Sequence, residues 1–312
     1  MTTMRAIAIN DFGAPPTLRD LPTPRPAAGE ILVRVRASSI NGFDAFVASG
    51  MAKGMMEHRF PVVPGKDFAG TVEALGDGAS RFKVGDEVFG VVMTQVLAEG
   101  GWGEYLAVPE GFAVAPVPAG LDLATAGALG LAGAAALASV NAVALSAGET
   151  VLISGATGGV GALAVQLAKA RGATVLATAR PGEEEAFVRE LGAAATVDYS
   201  GDLAAAVRAQ CPDGVHAAIH LAGDPATLAG LLVPGGRIAS TLGFGPDAVG
   251  DRQVTGTAIM AMPDAGTLTH LAAEVAAGRL RVPVQRTYDL ADVPQALADF
   301  GAGKRGKLAV RI

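Results

Sequence analysis

The chain predicts an α/β protein, a doubly wound parallel sheet joined to a smaller, mainly-β, barrel-like domain. Two observations carry this expectation. From Thr150 onward, short apolar runs alternate with stretches of helical spacing, as in a parallel sheet flanked by helices. Before that point, short strands are divided by glycine turns, as in a small barrel. The 312 residues suffice for about two domains, and because 50% are hydrophobic a large core is available.

The elements follow in order. Pro22, Pro24 and Pro26 make an extended, strand-breaking approach. Residues 30–38 alternate apolar and charged side chains, the mark of a half-buried antiparallel strand. Residues 68–75 form another strand, closed by Gly76-Asp-Gly78, and strands over 84–92 and 105–108 follow. Residues 123–148 carry no charge, but their alanine and glycine content predicts a buried helix pair, not a membrane span. Strands are then predicted at 151–154, 174–178, 195–197, 215–221 and 236–242. Helices are predicted at 160–171, 183–191, 203–210 and 225–231. Gly192 can cap the second of these helices. The tail holds helices over 268–277 and 293–300 and a last strand over 307–312.

The most informative stretch is residues 151–170, where an apolar strand bends through Gly155-Ala-Thr-Gly-Gly-Val-Gly161 into a helix. Such a bend leaves backbone N–H groups free at the positive end of the helix, ready for a diphosphate. Thr157, Gly158, Gly159 and Val160 are the candidate contacts. Gly158 lets the backbone approach the ligand, and Gly161 lets the helix pack on the strand. Ala156 replaces the first glycine of the dinucleotide fingerprint, so the match is A-x-G-x-x-G. The second strand of the sheet ends Ala177-Thr-Ala-Arg180, with no carboxylate at its tip. Arg180 offers a bidentate partner for a 2′-phosphate, which points to NADPH. The alternative is a solvated arginine starting a loop, and Glu183-Glu-Glu185 can compete for it.

Other chemistries find little support. A net charge of −6 argues against nucleic acid as a main partner. The single cysteine, Cys211, excludes an internal disulfide and a multi-cysteine zinc site, and fits a reducing cytoplasm. Residues 1–10 have too short an apolar core for a signal peptide. The four histidines show no recognisable ligand spacing. His216 and His220, on one strand, read as core or sheet-end residues, so no metal site is expected. No G-x-S-x-G elbow occurs. Hydride transfer needs no such nucleophile. It needs a bound nicotinamide, a pocket that excludes water, and a donor near the acceptor oxygen.

Several motifs together resemble the medium-chain dehydrogenase/reductase superfamily, specifically its zinc-independent quinone oxidoreductase branch. They are Ser39-Ile-Asn-Gly-Phe-Asp44, Pro61-Val-Val-Pro-Gly-Lys-Asp-Phe-Ala-Gly70, Val84-Gly-Asp-Glu-Val88, Gly101-Trp-Gly-Glu-Tyr105, the 155–161 turn and Arg305-Gly-Lys-Leu-Ala-Val310. The resemblance spans nearly the whole chain. It implies a GroES-like substrate domain over 1–120 and 265–312, and a Rossmann NADPH-binding domain over 121–264. Zinc relatives carry a cysteine at the place of Asn41 and a histidine at that of Lys66, and the structural-zinc cysteine loop is absent. The resemblance further implies that Asn41 lies near the nicotinamide and that Tyr199 packs by the 2′-phosphate. Leu221 and Gly223, with Leu242 and Phe244, match loops on the nicotinamide side, and Lys307 reaches the cofactor from the last strand. Several relatives bind the phosphate with a lysine after the second-strand tip, and none is located here. A threonine that others carry is missing from Gly133-Ala-Ala-Ala136.

The implied activity is NADPH-dependent hydride transfer to a quinone or to the β-carbon of an α,β-unsaturated carbonyl. Lys66 and Asn41 are the candidate catalytic residues, Lys66 steadying the developing oxyanion or enolate. A structural lysine paired with Asp44 or Asp67 is the competing reading. Phe43, Met51, Met55, Met56 and Phe244 are candidate substrate-pocket residues. The alternatives are an enoyl reductase acting on a polyketide-type intermediate, and a non-catalytic NADPH-binding structural or regulatory protein. A cytoplasmic homodimer with small-molecule substrates and no membrane partner completes the expectation.

Overall fold

The computed structural model describes residues 2–243, 249–250 and 253–312. The chain divides into two units, Met1–Ala132 with Met262–Ile312, and Gly133–Ala261.

The first unit is built on a seven-stranded sheet. Its order is Val284–Asp289, Lys307–Arg311, Glu30–Ile40, Asp67–Leu75, Glu87–Val91 and Val114–Pro116, with Tyr105–Pro109 also pairing Glu30–Ile40. In Glu30–Ile40 the expected alternation holds at the centre, where Val33 and Val35 are buried and Arg34 and Arg36 exposed. Past Arg36 every residue is buried, including Ser38 and Ser39. The last strand pairs antiparallel with it, Leu308 opposite Ile40 and Ala309 opposite Ser39. That register brings Lys307 beside the chain around Asn41. Trp102, Phe68 and Phe89 are fully buried side chains of this unit.

The second unit is a six-stranded, all-parallel sheet. Its order is Ala195–Val197, Thr174–Thr178, Thr150–Ser154, Val215–His220, Leu232–Ser240 and Thr255–Ala258. This is the doubly wound order in which the strand direction of travel reverses between Thr150–Ser154 and Val215–His220. Ligands bind outside the carboxyl ends of strands at such a reversal. Val151, Leu152 and Ile153 are fully buried, as a two-sided parallel strand requires.

Several sequence-based boundaries shift. Residues 123–148 form one helix, Leu123–Ala142, and then turns, not a helix pair. Ala144 takes φ +43°, which ends helical continuation there. The helix is long and apolar enough to cross a membrane by length and composition, and most of it is buried within the protein. The strand expected from Gly236 begins at Leu232, across an irregularity in its pairing with Val215–His220. Several elements have no counterpart in the sequence reading, among them helix Gly42–Ala48, strands Thr17–Pro22 and Val114–Pro116, and the two strands Thr255–Ala258 and Val284–Asp289. Thr255–Ala258 and Val284–Asp289 lie at sheet edges and are mostly exposed, so they lack an alternating apolar face.

Candidate functional site

The glycine turn of the second unit is made almost wholly by backbone. Gly155 takes φ +68°, so the left-handed bend falls one residue before the fingerprint's first glycine position. Ala156, at that position, is fully buried. A Cβ on Gly161 would sit 2.2 Å from the Gly155 carbonyl oxygen, so only glycine allows this approach. Helix Gly159–Ala170 starts at Gly158 with no side-chain cap. Its first N–H groups therefore have no intrahelical partner. A cavity of about 630 Å³ opens beside the turn, with Gly155, Thr157, Thr178, Tyr199 and Gly223 on its walls. The turn, helix start and cavity together fit a dinucleotide.

The ends of three strands are tied together by side chains on the rim of this region. The Ser154 hydroxyl donates to the Ala222 carbonyl at 2.9 Å and accepts the Leu221 N–H at 3.2 Å. Buried His220 places Nδ1 2.8 Å from the Ser240 hydroxyl and Nε2 3.0 Å from the Gly223 carbonyl. The Leu242 N–H donates to the Ser240 hydroxyl at 3.2 Å. Leu221, Gly223 and Leu242 are thus anchored through Ser154, His220 and Ser240. Phe244 lies outside the described residues. His216, four positions from His220, instead accepts the Thr150 N–H at 3.1 Å.

At the tip of strand Thr174–Thr178, Arg180 and Tyr199 converge on Glu184. Arg180 Nε donates to Glu184 Oε1 at 2.8 Å, and Nη2 reaches the same oxygen. The Arg180 backbone N–H donates to Oε2 at 2.9 Å, and the Tyr199 hydroxyl lies 3.1 Å from that oxygen. Burial pushes the Glu184 carboxyl up, but the Arg180 and Tyr199 hydrogen bonds outweigh it and hold it below the usual range. Arg180, though exposed, is paired with Glu184, the competitor the 183–185 glutamates offered.

The first unit contains a buried polar cluster. Asp67 is its hub. It accepts from the Ser39 hydroxyl at 2.6 Å, Asn41 Nδ2 at 2.9 Å and the Leu131 N–H at 2.8 Å. Lys307 Nζ donates to Asn41 Oδ1 at 2.5 Å and the Ile40 carbonyl at 3.3 Å, and lies 3.5 Å from Asp67. Asp44 accepts the backbone N–H groups of Asn41 and Lys66, both at 2.9 Å. Helix Gly42–Ala48 supplies Asp44, with Asn41 as its cap. Burial, then the nearby negative charge of Asp67, pushes Asp44 up to about 6. Burial pushes the Lys307 ammonium down, against the pull of Asp67 and Asp44.

The Lys66 ammonium is not paired as the competing structural reading has it. Its Nζ donates to the Val92 carbonyl at 2.5 Å and lies 4.8 Å from the Phe43 ring centroid. The ion pair to Asp67 comes from Lys307 instead. Only the Lys66 backbone reaches Asp44. Burial lowers the Lys66 ammonium pKa. The Lys307 side chain is buried and its ammonium is held by Asn41, Ile40 and Asp67.

The structure thus brings Asn41 and Lys307 together in the first unit, and Thr157, Gly158, Gly159, Val160, Arg180, Tyr199, Leu221 and Gly223 around the glycine turn and strand ends of the second. Met51 and Met55 are exposed, while Phe43 lines a smaller cavity with Lys66. Sequence reasoning missed Asp67 as a hub and the strand-end group Ser154, His220 and Ser240, and it named the 183–185 glutamates as competitors for Arg180 without singling out Glu184. The motif residues Asp44 and Asp67 were the available signal for the first. Three consecutive glutamates left open which of them would pair.

Among the described residues, no group of three or more His, Cys, Asp or Glu side chains is placed to hold a metal ion. A lysine ammonium at the centre of the cluster opposes a dication there, so the donors do not fit zinc.

The family profile of the alcohol dehydrogenase GroES-like domain matches residues 27–119, and that of the zinc-binding dehydrogenase matches residues 159–248. The chain is 37% identical over 194 residues to a quinone oxidoreductase of Homo sapiens, a match covering 61% of this chain but only 57% of that protein. It is 31% identical over 229 residues to a chloroplast envelope quinone oxidoreductase homolog of Arabidopsis thaliana, covering 70% of this chain and 68% of that protein. The solved structure of the quinone oxidoreductase from Coxiella burnetii superposes with a TM-score of 0.91 at 28% identity, covering 100% of both chains. The chain belongs to the medium-chain dehydrogenase/reductase superfamily, in its quinone oxidoreductase-like branch.

Proposed function

We propose that the protein is a zinc-independent, NADPH-dependent reductase of quinones or α,β-unsaturated carbonyl compounds. The observation that carries this reading is the cavity beside Gly155, walled by Thr157 and Tyr199 and opening at an uncapped helix start. A reduced nicotinamide, when bound, supplies the hydride. The chain's own residues bind, orient and stabilise. The 155–161 turn offers backbone N–H groups to the diphosphate. Arg180 is the candidate cation for the 2′-phosphate, with Tyr199 beside it. Leu221, Gly223 and Leu242 are held by strand-end side chains, which supports a fixed nicotinamide side.

In the first unit, Lys307 and Asp67 use both ends of the Asn41 amide, fixing its orientation. Asn41 is proposed to position the reacting ring, with Lys307 acting through it. Lys66 spends one ammonium hydrogen on Val92. Its remaining donors are proposed to stabilise a developing oxyanion or enolate. Its lowered pKa eases proton donation. The exposed edge strand Thr255–Ala258 supports a homodimer, and the enzyme is proposed to be cytoplasmic.

Steady-state assays with NADPH against a panel of simple quinones and enones test this. Turnover with at least one class is expected, and a Lys66→Ala variant should lose most of it. Unchanged turnover in Lys66→Ala would remove Lys66 from the mechanism. NADPH binding with no oxidation by any acceptor would favour the non-catalytic reading.

A further inference from the structure

The fixed member of the Arg180, Glu184 and Tyr199 group is the carboxylate, not the guanidinium. The Glu184 side chain is 12% exposed and the Arg180 side chain 61%. Glu184 is gripped from several directions: the Arg180 backbone N–H, Nε and Nη2, and the Tyr199 hydroxyl. The Arg180 guanidinium can swing away and leave the backbone and Tyr199 contacts in place. Tyr199 lines the cavity, and its hydroxyl lies 3.1 Å from Glu184 Oε2, so the carboxylate sits one side chain from the cavity.

The local charge matters as much as the geometry. Arg180 supplies one positive charge. Glu184 and Asp198 each supply a negative one, and Asp198 acts on both Arg180 and Tyr199. A 2′-phosphate brings close to two more negative charges. To bind Arg180 it must compete with a carboxylate that already occupies the guanidinium fork. A bare 2′-hydroxyl brings no charge and can donate to Glu184, the interaction that favours unphosphorylated dinucleotides.

We propose that Glu184 is a specificity-determining residue, which competes with the 2′-phosphate for Arg180 and accepts the 2′-hydroxyl of an unphosphorylated ribose. The protein therefore binds both NADPH and NADH, with only a narrow preference for NADPH. This inference rests on the nicotinamide reading given above.

Direct titration of both dinucleotides by nicotinamide fluorescence tests it, using wild type, Glu184→Gln and Glu184→Ala, with a melting curve for each. In wild type the two dissociation constants should lie within about tenfold of each other. In both variants NADPH should bind about tenfold more tightly, the scale of one charge-assisted hydrogen bond. NADH should weaken, so the NADPH-to-NADH ratio should rise by more than about tenfold. An unchanged ratio in two folded variants overturns the role of Glu184 while leaving the cofactor reading intact. Wild type binding neither dinucleotide overturns the cofactor reading and this inference with it.

Discussion

The buried cluster around Asp67 and the cavity beside Gly155 meet their chemical demands in opposite ways. The cluster uses side chains. Lys307, Asp67, Asp44, Asn41 and Ser39 are removed from water, and each finds its partners within the protein. The cavity is walled largely by backbone and small residues, and the Arg180–Glu184 pair next to its Tyr199 wall leaves the arginine exposed. Buried charges are costly to unpair, whereas exposed pairs are exchanged at little cost. The first region is therefore suited to holding a geometry, and the second to trading one partner for a ligand.

Removing the buried cation should have the largest effect. Lys307→Met leaves Asp67 and Asp44 without their compensating charge, at a cost of about 3–5 kcal/mol. Urea unfolding checks this. A loss below about 1 kcal/mol would mean the cluster does not depend on the ion pair.

The next effect is pH-dependent. Asp44 is raised from 3.8 to about 6 in the folded protein. The native state thus binds its proton more tightly than the unfolded state does. Stability from this group is present below pH ~4 and is lost as pH rises toward ~6, about 3 kcal/mol in all. Asp44→Asn abolishes that drift. The wild-type advantage over Asp44→Asn should shrink as pH rises through this window, and a flat difference would contradict the raised pKa.

Gly161→Ala probes the second region. Its Cβ would collide with the Gly155 carbonyl, so the strand–helix turn must open, at about 1–3 kcal/mol. NADPH affinity should fall along with stability. Retained affinity would separate the turn from the diphosphate site. The smallest effect is expected at Arg180. Arg180→Ala should leave the unfolding midpoint nearly unchanged, because the arginine is exposed and Glu184 keeps the Tyr199 hydroxyl and a backbone N–H as donors. NADPH affinity alone should drop, by about tenfold, with NADH almost unaffected.

The same contrast explains what was legible in the sequence. The parallel sheet, the glycine turn and the helix after it are local patterns, and they appear where hydrophobic spacing puts them. Strand Thr174–Thr178 matches its expected bounds, and Gly192 takes the left-handed conformation of a helix cap. Strands Thr255–Ala258 and Val284–Asp289 stay hidden because exposed strands of small or polar residues carry no periodic signal. The cluster joins residues 39–67 to residue 307 through strand register, over 240 positions between Asp67 and Lys307. Motif resemblance supplied Asn41, Lys66 and Lys307, but not which lysine faces which carboxylate. Only the register, with Leu308 opposite Ile40, turns Lys307 inward.

Single-turnover mixing tests the central claim most directly. The protein is first loaded with NADPH and then mixed with a quinone or an enone, while the nicotinamide absorbance is followed. Rapid loss of the reduced-nicotinamide signal, slowed strongly by Lys66→Ala, is the predicted result. A stable signal from bound NADPH with every acceptor would contradict the account, leaving a nucleotide-binding protein without the reductase chemistry.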